Sequence, residues 1–90
     1  MKRILLIEDN LEMRENTAEI LELAGYEVIT AENGKDGVRL AKEHTSDLIL
    51  CDVMMPKLNG FELRERLSTD AATKTIPFIF LTSRSSTSDK

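Results

Sequence analysis

Apolar and polar positions alternate along the chain between two kinds of segment. Four short runs, ILLI (Ile4 to Ile7), YEVIT (Tyr26 to Thr30), LILC (Leu48 to Cys51) and IPFIFL (Ile76 to Leu81), are separated by longer stretches in which apolar residues recur at helical spacing. The first, third and fourth runs are nearly continuous in apolar residues, the pattern of strands covered on both faces, while YEVIT is mixed and reads as an edge strand. Pro77 offers no backbone N–H, so it is acceptable only near the start of its strand.

The first intervening stretch carries Met13, Thr17, Ile20, Leu21 and Ala24 on one side and Arg14, Glu15, Glu19 and Glu22 on or beside the other, an amphipathic helix. Asp9 or Asn10 is placed to cap its start and Gly25 to end it. A second helix, from Gly34 to about His44, follows Asn33 and turns Val38 and Ala41 inward. The third runs from about Gly60 to Ser68, with Leu63 and Leu67 one turn apart and Phe61 beside them. Strand and helix therefore alternate from β to final β, which predicts an α/β fold: a doubly wound parallel sheet with helices on its faces.

Composition narrows the function rather than the fold. Ninety residues make one domain and a small one, with 41% hydrophobic and 31% charged residues, ordinary for a globular protein. A net charge of −4 with scattered basic residues gives no footprint for a nucleic-acid backbone, so no direct nucleic-acid binding is expected. Cys51 is the sole cysteine and sits within an apolar run, which fits a core thiol in a reducing, cytoplasmic setting. The apolar run at the start ends at Glu8 and Asp9, too short for a membrane span, and no membrane association is expected.

Candidate chemistry lies at strand ends. In an open α/β sheet the functional edge is the carboxyl end of the strands. Glu8 and Asp9 close the first strand, Asp52 the third and Thr82 the fourth. If the first and third strands are neighbours, three carboxylates share one basin, where they repel unless a divalent cation neutralises them. An all-oxygen donor set suits Mg²⁺, and Asp52 beside such an ion is a candidate nucleophile for phosphoryl transfer. The plainer reading, that acidic residues at strand ends are helix caps, stays open on pattern alone, above all for Asp9.

Taken together, IEDN with Glu8 and Asp9, LILCDVMMPKLNG with Asp52, Pro56 and Gly60, and IPFIFLTS with Thr82 resemble the receiver domain of two-component response regulators. The resemblance extends over essentially all of the chain. It implies a flavodoxin-like fold and phosphorylation of Asp52 by the phosphohistidine of a sensor histidine kinase or phosphotransfer protein. It also implies Mg²⁺ held by Glu8, Asp9, Asp52 and the backbone carbonyl of Met54, with Thr82 bonding to a phosphoryl oxygen. An aspartate-nucleophile phosphatase is disfavoured because Met54 stands where such enzymes place a second aspartate. A flavin site is disfavoured because EDNLEM would repel a phosphate.

Set against that family, the sequence holds strands in the expected order 2-1-3-4 but not the fifth strand, the last two helices or the lysine that closes the fifth strand. Residues 1–90 are thus expected to be a partial receiver domain that would extend to about residue 120. The favoured explanation is that the segment belongs to a longer polypeptide. The alternatives are a homodimer or strand and helix exchange with another chain, which would cover the apolar fourth strand, or a deliberate fragment. A truly shortened domain would be a non-phosphorylated interaction module.

Overall fold

The computed structural model describes residues 1–52 and 60–81. Its elements run β1 (Arg3–Ile7), α1 (Leu11–Leu23), β2 (Glu27–Ala31), α2 (Gly34–Glu43), β3 (Leu48–Asp52), α3 (Gly60–Ser68) and β4 (Phe78–Leu81). All neighbouring strands pair in parallel, in the order β2-β1-β3-β4. This is the expected doubly wound sheet, with β2 at one edge and β4, among the described residues, at the other. β4 begins immediately after Pro77, where the missing N–H costs no ladder bond.

The strand period of two sorts β1 and β3 between two layers. Leu5, Ile7, Ile49 and Cys51 face α2 and α3 and form one buried cluster with Ala41, Leu63 and Leu67. Ile4 and Leu6 are equally buried but point the other way, toward α1. The close approach of α2 to the sheet depends on Gly37. A Cβ there would lie 2.6 Å from Ile7 Cδ1 and 3.1 Å from its Cγ1.

Local signals set the helix ends. Asn10, not Asp9, caps α1, its side-chain oxygen accepting the Met13 N–H at 2.9 Å. At the other end Gly25 takes φ +101°, a conformation that an L side chain disfavours, and the chain reverses. The Gly25 N–H then donates to Glu22 O and the Tyr26 N–H to Leu21 O, satisfying carbonyls that the helix leaves open. Asn33 caps α2 in the same way, through the Asp36 N–H.

Two packing expectations are corrected. α1 leans toward β2 on a narrow stripe of Met13, Thr17, Ala18 and Leu21, none of them fully buried. Ile20 and Ala24 fall on the flank of that stripe, so Ile20 is 66% exposed. Phe61 does not join Leu63 and Leu67 in the core but lies exposed, its ring 4.8 Å from that of Phe80. Leu63 and Leu67 already fill the inward side of α3, and one turn cannot present three large residues to the same strip. Among the described residues, no helix is long and apolar enough to cross a membrane.

Candidate functional site

The site follows from strand register. β1 and β3 pair with Ile7 opposite Cys51, so the next residue of each strand, Glu8 and Asp52, emerges side by side at the carboxyl edge. Both are buried, at 2% and 4% exposure, which is unusual for carboxylates and leaves them facing one small basin. Asp9, half-buried in the turn to α1, completes the group: one carboxylate oxygen from each of Glu8, Asp9 and Asp52 lies within 4.8 Å of the others.

Backbone bonds fix this geometry. The Glu8 N–H donates to Ala31 O at 3.0 Å, extending the β1–β2 ladder by one residue. Its carboxylate Oε2 accepts the Asn10 N–H at 3.1 Å, and its carbonyl accepts Arg14 Nη1 at 2.9 Å. Because Asn10 serves as the helix cap, Asp9 is not committed to that role, and the plainer reading of the acidic pair loses its main support. Neither the Asn10 nor the Arg14 contact was foreseen. A basic residue in a first helical turn, where the helix dipole disfavours it, was the available signal for Arg14.

Crowded negative charge registers on the neighbouring thiol. Cys51 is fully buried, and burial first, then the charges of Asp52 and Glu8, push its pKa up to about 12. Its Sγ donates to Asp52 O at 3.2 Å, so it behaves as a core group beneath the site. Among the described residues the donor set fits a small hard cation: three carboxylates, no nitrogen or sulfur ligand, and a spacing that one ion can bridge. Leu81, the last residue of β4, pairs with Asp52, but Thr82 and Met54 lie outside the described residues.

Comparison with known proteins agrees with this arrangement. The family model described as response regulator receiver domain matches residues 4–90. The chain belongs to that family. As a receiver it is 45% identical over 91 aligned positions to Protein PilH of Pseudomonas aeruginosa, covering 100% of this chain and 74% of PilH. It is 40% identical to the phosphate regulon transcriptional regulatory protein PhoB of the same organism, of which it spans only 39%. Among solved structures, the N-terminal domain of a response regulator receiver protein from Methanoculleus marisnigri JR1 superposes with a TM-score of 0.89 at 34% identity, over 93% of this receiver and 68% of that chain. The chemotaxis response regulator CheY4 of Vibrio cholerae superposes with a TM-score of 0.87 at 32% identity, over 93% and 70%.

Proposed function

We propose that this receiver is the phosphoacceptor module of a two-component signalling protein, with Asp52 taking a phosphoryl group from a phosphohistidine of a sensor histidine kinase or phosphotransfer protein. The observation that carries the reading is the convergence of Glu8, Asp9 and Asp52 from two adjacent strands within 4.8 Å. An Asp52 carboxylate oxygen attacks phosphorus as the P–N bond to the donor imidazole breaks, and the electron pair returns to the ring nitrogen. Mg²⁺, when bound, neutralises charge on the phosphoryl oxygens. Glu8, Asp9, Asp52 and the Met54 carbonyl would hold it, and the Thr82 hydroxyl would donate to a phosphoryl oxygen.

Residues 1–90 are taken as the larger part of a receiver domain, since the match to PilH covers 100% of this chain and 74% of PilH. The setting is taken as cytoplasmic, which a buried free thiol and a kinase donor both favour. Incubation with Mg²⁺ and acetyl phosphate, followed by intact mass measurement, tests the chemistry. The full chain should gain one phosphoryl group, and Asp52→Ala should gain none. An unmodified wild type, or a modified Asp52→Ala, would overturn the assignment.

A further inference from the structure

Arg14 stands in the first turn of α1, where a cation opposes the positive end of the helix dipole. It is nevertheless half-buried, and among the described residues it forms no ion pair. Its Nη1 instead reaches back six residues to the Glu8 carbonyl at 2.9 Å. That carbonyl lies just beyond the end of β1, and a half-buried carbonyl without a partner is costly. The bond has a second effect, because the Glu8 carbonyl belongs to the same planar peptide unit as the Asp9 N–H. Fixing that plane limits the directions in which the two successive side chains leave the backbone.

We propose that Arg14 is a positioning residue for the acidic site: by clamping the Glu8–Asp9 peptide it holds both carboxylates in register with Asp52 and so tightens the binding of a divalent cation. The Glu8 N–H bond to Ala31 O acts on the strand side of Glu8, and the bond from the Asn10 N–H to the Glu8 carboxylate closes a turn around the Glu8–Asp9 peptide, whereas Arg14 holds the carbonyl of that peptide directly. Supporting groups of this kind commonly change metal affinity without touching the metal. The inference rests on reading the site as a divalent-cation centre.

Mn²⁺ binding to the full chain, read from the loss of the free-ion EPR signal, tests it without any phosphoryl chemistry. Arg14→Met, which keeps length but has no donor, should bind about tenfold more weakly than wild type. Arg14→Lys, which keeps a single donor on a long stem, should recover most of that loss. Arg14→Gln, too short to reach the carbonyl, should resemble Arg14→Met and serves in its place if that variant does not fold. Thermal unfolding without metal separates positioning from stability. If Arg14→Met or Arg14→Gln only lowers the unfolding midpoint and binds Mn²⁺ as wild type does, Arg14 is merely structural and the proposal falls. A wild-type chain that binds no Mn²⁺ would instead remove the cation-site reading beneath it.

Discussion

Residues at the site are committed by burial as much as by identity. Cys51 has the charge environment and depth of a protected core thiol, since burial and then the Asp52 and Glu8 carboxylates all hold it protonated. Folded protein at pH 8 should therefore react negligibly with iodoacetamide over a period in which the urea-unfolded chain is fully alkylated, as mass spectrometry would show. The sign is clear: with its pKa raised to about 12, the thiolate that carries the reactivity is scarce until far above pH 8. Rapid alkylation of the native chain would mean that the β3 end opens readily. Asp9 illustrates the opposite commitment. Its neighbour Asn10 takes the capping role, and the Asp9 carboxylate lies close to those of Glu8 and Asp52.

Among the elements, α2 packs close against β1 at Gly37. A methyl group there would meet Ile7 Cδ1 at 2.6 Å, beneath the residue that leads into Glu8. Overpacking of this kind costs about 1–3 kcal/mol, against a helix-propensity gain of at most about 1 kcal/mol for replacing glycine by alanine. Gly37→Ala should thus lower stability by up to about 2 kcal/mol in urea titrations. Ile7→Val, which removes Cδ1, should recover part of that loss in the double variant, because the two residues touch and their effects do not add. Strictly additive losses would show that the crowding is relieved elsewhere.

The same elements show what the sequence discloses. Strand and helix positions were legible because apolar runs and helical spacing are local, and the acidic residues were legible because each closes a strand. Side-chain burial on α1 was not, since spacing alone placed Ile20 and Ala24 inward and only the lean of the helix toward β2 decides which stripe is covered. Phe61 was misplaced for a like reason, its ring answering to Phe80 on another element. The Arg14 and Asn10 bonds to Glu8 depend on the turn conformation after β1, which no periodicity encodes.

For the molecule as a whole, the acidic basin sets stability against metal occupancy. Like charges crowded at one edge repel one another, and a cation bound there, as proposed, would offset that repulsion. Mg²⁺ at 100 times its dissociation constant should add about 2.7 kcal/mol of stability, a rise on the order of ten degrees in the unfolding midpoint of a domain this small. Chelation with EDTA should reverse it. Asp9→Asn should raise the metal-free midpoint while abolishing most of the Mg²⁺ response, and a variant that kept the full response would separate Asp9 from the cation. The pairing of Ile7 with Cys51 carries a further lesson. Since β1 is apolar on both of its faces, a slip against β3 by a single position would leave the core apolar while moving Glu8 out of its place beside Asp52. Register thus governs the acidic edge more sharply than it governs the core, and Glu8 meets Asp52 only where Ile7 lies opposite Cys51.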